Sequence, residues 1–96
     1  MKARLVFWHK AQLQNRYVLE MTIHDVGRSR SYPDGIKYRL ILFDRESRRR
    51  VLMDNHSPKG HHVHLDLKEE PYTFIDDNTL FEDFKRLVLN HVGITL

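Results

Sequence analysis

The stretch Tyr17-Val18-Leu19-Glu20-Met21-Thr22-Ile23-His24 decides the fold, because a large apolar or aromatic side chain occupies every odd-numbered position. This period of two is typical of a half-buried β-strand. The same alternation returns at Ile36–Asp44, which predicts a second long strand. Between the two, residues 27–35 read as a basic loop that ends in a Pro-Asp-Gly turn. The sequence therefore predicts a hairpin of two long strands.

Shorter segments extend this hairpin on both sides. Residues 5–13 are apolar and aromatic enough for a preceding strand, and Asn15 marks the turn that follows. A further strand is expected over residues 50–54. After a break at residues 57–60, another is expected over residues 61–67. Strands joined in series by turns argue for an antiparallel meander of about five strands.

The end of the chain changes its apolar period from two to three and four. The residues at this helical spacing are Leu80, Phe84, Leu87, Val88 and His91. Thr79 and Glu82, three positions apart, fit a capping box at the start of such a helix. We therefore predict one C-terminal amphipathic helix packed on one face of the sheet. The fold class is α+β, in a single domain over residues 1–96.

One helix of this length covers only part of one sheet face. Apolar or aromatic residues remain for the other face, namely Phe7, Trp8, Ile41, Phe43 and Tyr72. Exposed apolar surface of this kind marks an interface with another chain. We expect a homodimer, or a complex with a different protein.

Composition narrows the classes of function. The chain has 96 residues, 41% hydrophobic and 30% charged, and it contains no cysteine, so thiolate zinc sites and disulfides are excluded. Its first residues lack the long apolar core of a signal peptide, and no apolar run is long enough to cross a membrane. We expect a cytoplasmic protein without membrane contact. There is also no helix-turn-helix pattern and no glycine-rich phosphate loop.

The charges are unevenly placed along the chain. Sixteen Lys and Arg residues stand against thirteen Asp and Glu residues. The basic residues crowd the middle third, and we take five as candidates for nucleic-acid binding: Arg28, Arg30, Arg39, Arg48 and Arg50. Such a concentration favours a polyanionic ligand such as RNA, because cations that contact phosphates release counterions. For the run of three arginines at residues 48–50, a solvated hairpin tip is the alternative.

The densest chemical signal is a histidine segment, Asp54-Asn55-His56-Ser57-Pro58-Lys59-Gly60-His61-His62-Val63-His64. If its end is extended, His62 and His64 share one strand face, and their backbones lie ~6.6 Å apart. Ribonucleolytic cleavage needs a base for the 2′-hydroxyl, an acid for the leaving oxygen and a cation on the phosphate. We assign His62 and His64 to the first two roles and Lys59 to the third. No cofactor is needed for this chemistry.

Other residues of the segment are expected to support these three. They are Asp54, Asn55, His56, Gly60 and His61. Gly60 has no Cβ and lets the backbone approach a phosphate. His61 falls on the apolar face, where a hydrogen-bonded core histidine is the simpler interpretation, and Asp54-Asn55 fits a turn cap.

Metal binding is the alternative for the same segment. His62 and His64 could converge on an ion, with His56 or Asp54 as third ligand. The segment carries no specific zinc signature, so we expect no metal. A non-catalytic module that binds RNA or a metal through its histidines remains the competing interpretation of the chain.

Four segments together resemble the TumE family of toxins from toxin-antitoxin modules. They are Met1-Lys2-Ala3-Arg4-Leu5-Val6, the stretch from Arg30 to Tyr38, the histidine segment, and Glu70-Pro71-Tyr72-Thr73-Phe74. The resemblance spans nearly the whole chain, and its most specific part is Lys59-Gly60-His61-His62 with His64, followed by the last segment. It implies a growth-inhibiting toxin neutralised by a helix-turn-helix antitoxin. By analogy with other small toxins, RNA cleavage is the leading class of activity.

Overall fold

A computed structural model describes residues 3–96; Met1 and Lys2, which begin the first segment of the resemblance, lie outside the described residues. The elements in chain order are β1 (Arg4–Leu13), β2 (Tyr17–Asp25), β3 (Ile36–Asp44), β4 (Arg50–Asp54), β5 (His62–Leu65), β6 (Lys68–Pro71) and α1 (Asp77–Val92). The strands form one sheet in the order β1-β2-β3-β4-β5-β6, and each neighbouring pair is antiparallel. The predicted α+β meander with one C-terminal helix is confirmed.

The sheet has one strand more than expected, because the segment 61–67 does not stay extended. It pairs only as His62–Leu65, and Asp66 then adopts a left-handed φ of 58° that reverses the chain into β6. Leu67, which the predicted strand placed on the apolar side, is 98% exposed at this turn. Asp tolerates the left-handed region better than most residues, which is why the turn forms here.

The two long strands lie where the alternation placed them. Tyr17–Asp25 pairs along its full length with Ile36–Asp44. The loop between them is held by its own backbone, since the amide of Val26 donates to the Gly35 carbonyl at 3.0 Å. Gly35 has φ 77°, and a Cβ there would lie 3.2 Å from the Arg28 side chain, so glycine closes this loop for both conformational and steric reasons.

The helix covers one face of the sheet over its middle strands. Leu80, Phe84 and Val88 are fully buried and pack into a core with the inward residues of β2 to β5. Its N-cap is Asp76, whose carboxylate accepts a hydrogen bond from the Thr79 amide at 2.7 Å. The N-cap is therefore Asp76, three residues before Thr79, and the predicted capping box at Thr79 is wrong.

Within residues 3–96, no helix lies on the opposite face of the sheet, which we call the open face. The helix has 16 residues, and no helix within residues 3–96 is long and apolar enough to cross a membrane. Trp8, which belongs to the expected uncovered apolar surface, is strongly exposed, and so are Leu5 and Val6 on the same strand. Phe7 instead turns toward the helix, where its ring meets that of Phe81 at a centroid distance of 5.1 Å.

Candidate functional site

Strand register places the histidine pair on the open face. Asp54 on β4 faces His62 on β5, and His64 faces Glu69 on β6. Directly opposite residues of antiparallel strands share one face of a sheet. The expectation that His62 and His64 lie on one face is confirmed, and a carboxylate stands beside each of them.

His62 is held on both sides of its ring. Its Nδ1 lies 2.7 Å from the Gly60 carbonyl oxygen, and its Nε2 lies 2.8 Å from Asp54 Oδ1. A carbonyl oxygen only accepts hydrogen bonds, so Nδ1 carries a proton. The side chain is only 7% exposed. His62 therefore has a fixed orientation and no nitrogen turned to solvent.

Gly60 contacts His62 through its backbone carbonyl, and Asp54 contacts it through its side chain. Gly60 has φ 76°, a conformation that favours glycine, and open space surrounds the position of a Cβ. Its carbonyl, turned toward the ring, is what it contributes to the site. Asp54 Oδ1 is buried, and within residues 3–96 no donor is aligned for a hydrogen bond to it, although His62 Nε2 is close.

His64 is the freer of the two histidines. Its ring meets the His62 ring at a centroid distance of 4.8 Å and an interplanar angle of 75°. The side chain is only partly buried, and the described residues include no hydrogen-bond or ion-pair partner for it. Rings at this separation are in direct contact. A phosphate does not fit between them.

Glu69 completes the cluster, and sequence reasoning missed it. One donor atom from each of His62, His64 and Glu69 lies within 4.8 Å of the other two. The Lys59 ammonium lies 3.0 Å from both carboxylate oxygens of Glu69. The hydrogen bond from Lys59 holds the pKa of Glu69 below its usual value. Lys59, predicted to hold a phosphate, is therefore paired at the edge of the site.

Three of the expected supporting residues have other positions. His61 Nδ1 shares a hydrogen bond with the Tyr38 hydroxyl at 2.8 Å, and its Nε2 lies 2.8 Å from Asp34 Oδ2. The ring also stacks on Phe74 at 5.0 Å, so the interpretation as a hydrogen-bonded core histidine is confirmed. His56 is exposed and lies outside the group of converging donors.

Asn55 is buried and structural. Its side-chain oxygen accepts from the Tyr38 amide at 2.9 Å, and its side-chain nitrogen donates to the Ile36 carbonyl at 2.8 Å. These two bonds continue the β3–β4 ladder one residue past the end of β4. The segment that follows, including Lys59, therefore starts from a fixed point.

The five candidate arginines are spread over the molecule. Arg39 and Arg50 belong to the open face, since Arg39 faces Asp54 across the β3–β4 ladder and Arg50 faces Phe43. Arg39 is exposed, whereas Arg50 binds the Asp66 turn through its Nε at 3.3 Å.

The other three arginines lie in the connections at the two ends of the sheet. Arg28 and Arg30 are exposed in the β2–β3 loop. Arg48 is exposed in the β3–β4 turn, where its guanidinium lies 5.2 Å from the centre of the Phe43 ring. The loop and the turn lie at opposite ends of the sheet, and Arg28 lines a cavity together with Asp76 and Asp77 at the start of the helix.

Comparisons of the chain with protein-family models, with curated proteins and with solved structures each gave no match.

Proposed function

We propose that this chain is the toxin of a toxin-antitoxin module of the TumE type and that it cleaves RNA on its open face. The observation that carries the proposal is the cluster of His62, His64, Lys59 and Glu69 on a face shared with Arg39. Cations beside proton-exchanging groups are what phosphodiester cleavage requires. The resemblance to TumE toxins supplies the cellular role.

Within this proposal, His64 is the residue that moves the proton. It takes the proton of the 2′-hydroxyl as that oxygen attacks phosphorus, and the protonated ring then gives a proton to the leaving 5′-oxygen. His62 keeps His64 in place, because its own nitrogens face Gly60 and Asp54. This refines the expected acid-base pair into one exchanging histidine and one positioning histidine.

Lys59 and the arginines bind the RNA backbone. The Lys59–Glu69 pair is exposed on both sides, and surface pairs of this kind are worth only about 0–1 kcal/mol. Lys59 therefore exchanges Glu69 for a phosphate at little cost. Arg39 continues the cationic path along the open face, and the exposed Trp8 on β1 offers a ring for base stacking.

The experiment is cleavage of labelled RNA by the purified full-length protein, with and without a chelator. We expect cleavage in both conditions, since the mechanism uses no metal. His64→Ala should slow cleavage by about 10²–10⁴-fold, the usual worth of an acid-base group, with RNA still bound.

His9→Ala is the matched control for this experiment. His9 is exposed on β1 and faces Met21, on the helix side of the sheet, so its removal should leave cleavage unchanged. If His64→Ala cleaves like the wild type, the site assignment is wrong. If the wild type binds RNA without cleaving it, the chain is a binding module.

The proposed partners follow from the same surfaces. A helix-turn-helix antitoxin that covers the open face would exclude RNA by competition, without any conformational change. We also propose a homodimer through β1 and action in the cytoplasm, where RNA and antitoxin are present. A stable ternary complex of toxin, antitoxin and RNA would contradict direct competition.

A further inference from the structure

We infer that His62, His64 and Glu69 form a binding site for a divalent transition-metal ion such as Zn²⁺, and that the bound ion blocks RNA cleavage. The binding half stands on the geometry alone. The blocking half rests on the proposed function, because it assumes that His64 exchanges protons during cleavage.

The donor set matches this class of ion. Two imidazole nitrogens and one carboxylate oxygen lie within 4.8 Å of one another. Zinc binds both types at about 2.0–2.2 Å, so its tetrahedral ligands are about 3.4 Å apart. Glu69 is on an exposed strand and His64 is half-buried, so small side-chain rotations close this gap.

The surroundings of His62 are those of a metal ligand. Histidines that bind metals usually donate their other ring N–H to a carbonyl or carboxylate, which fixes the ring. His62 Nδ1 donates to the Gly60 carbonyl at 2.7 Å, so Nε2 is the nitrogen that would bind an ion. His62 Nε2 stands 2.8 Å from Asp54 Oδ1, so an ion at this nitrogen would lie close to that carboxyl group.

The buried Asp54 oxygen is an independent observation for a cation here. Within residues 3–96 it has no aligned donor, and buried carboxylate oxygens are rarely left in that state. A dication on His62 Nε2 would place positive charge beside it.

Lys59 occupies the position of the competing cation. Its ammonium contacts both oxygens of Glu69, and its side chain is 61% exposed. A metal ion that takes Glu69 must displace Lys59 into solvent. It also takes the lone pair of His64, so the metal-bound protein has lost its proton-exchanging histidine.

The test is a titration of the full-length protein with Zn²⁺, in which calorimetry measures binding and NMR records the signals of the histidine rings. We expect one ion per chain, with the His62 and His64 signals shifted. Glu69→Gln should weaken binding at least about tenfold, since even an outer ligand partner is worth about 10–100-fold. Lys59→Met should strengthen it.

Glu70→Gln is the matched control, because Glu70 is equally exposed on the same strand but faces Val63, on the other side of the sheet. If Glu69→Gln and Glu70→Gln bind Zn²⁺ as the wild type does, the site is refuted. Thermal unfolding of both variants shows that they are folded.

A second measurement separates the two halves of the inference. We expect Zn²⁺ to inhibit RNA cleavage over the concentration range in which it binds, with less inhibition of Glu69→Gln. Activation by Zn²⁺ would keep the metal site and overturn both the blocking role and the metal-free mechanism. Specific binding to a protein that never cleaves RNA would keep the site and refute the proposed function.

Discussion

Asp44 is the residue on which two turns depend. Its carboxylate is 1% exposed and accepts two hydrogen bonds from the Arg16 guanidinium, at 2.8 and 2.9 Å. It also accepts from the Glu46 amide and the Ser47 hydroxyl. The β1–β2 turn, which holds Arg16, and the β3–β4 turn are thus tied to one side chain.

This arrangement predicts a pH dependence of stability. The Arg16 hydrogen bonds, then those of the β3–β4 turn, hold the pKa of Asp44 well below its ordinary value. A carboxylate whose pKa is lowered by folding stabilises the protein above its unfolded pKa, and this contribution is lost as the pH falls toward the folded pKa. Asp44→Asn should therefore be less stable at pH 7, by a difference that shrinks below about pH 4.

Urea unfolding at a series of pH values from 7 to 3 measures this difference. Asp25→Asn is a suitable comparison, because Asp25 forms an exposed ion pair with Arg4 and its removal should change little. A gap between wild type and Asp44→Asn that stays constant over the whole series would contradict the role of the charge.

Local alternation was enough to place individual histidines on faces, but not to find their neighbours. His62 and His64 share a face because side chains alternate along any strand. Glu69 reaches them only because Asp66 adopts a positive φ and turns the chain back. The charged residues 68–70 follow the histidines closely enough to pair with them across a turn. The predicted fifth strand ran on to residue 67, and it therefore left no room for this turn.

At the scale of elements, the helix shows how two capping signals compete. Asp76 and Thr79 are both good N-cap residues, three positions apart. Asp76 is the N-cap, with extended backbone at φ −159°. At the other end Gly93, with φ 91°, donates its N–H to the Val88 carbonyl. The apolar period predicts the helix, but it does not distinguish between two candidate N-cap residues three positions apart.

Substitution of the cap gives a direct prediction. Asp76→Ala removes the acceptor of the Thr79 amide and should lower the free energy of unfolding by about 1 kcal/mol. Asp76→Asn keeps an acceptor of the same shape and should remain near the wild type. Thermal and urea unfolding measure both, and equal losses in the two variants would show that charge rather than capping is responsible.

The β5–β6 hairpin is connected to the helix through Asp66. Its carboxylate accepts from the Arg50 amide at 2.9 Å and lies 3.0 Å from His91 Nε2 in the last turn of α1. Burial by itself raises the pKa of Asp66, but the Arg50 amide and His91 outweigh it, and the net pKa is lowered. The histidine site is thus supported from both the sheet and the helix.

At the scale of the molecule, the uncovered sheet predicts self-association. β1 is a terminal strand of ten residues, and Leu5, Val6 and Trp8 on it are 54%, 49% and 57% exposed. An exposed apolar edge of this kind pairs readily with another strand. Two copies joined β1 to β1 would bury these side chains and extend the sheet.

Sedimentation at micromolar concentration tests this prediction. The wild type should sediment as a dimer, and Trp8→Glu should shift it to the monomer. Leu67→Glu is the control, since Leu67 is 98% exposed at the β5–β6 turn, far along the sheet from β1. A wild type that remains monomeric, or a dimer that Trp8→Glu leaves intact, would rule out the β1 interface.

The fold class could be predicted from the sequence because most elements have a local sequence pattern of their own. Strands β1 to β4 have a period of two or turn residues at their ends, and the helix has a period of three and four. The last hairpin was not accessible in the same way. Its four-residue strands are too short for a period to appear, and their pairing is decided by the turn.

The two edge strands of the sheet, β1 and β6, differ, and this difference limits the number of copies that can assemble. β6 is short, entirely exposed and charged at three of its four positions, and it ends in Pro71, which has no amide hydrogen to donate. A strand from another copy would therefore pair poorly with β6. If copies join through β1 alone, the outer borders of the pair are both β6, and assembly terminates at two copies instead of continuing into a fibre.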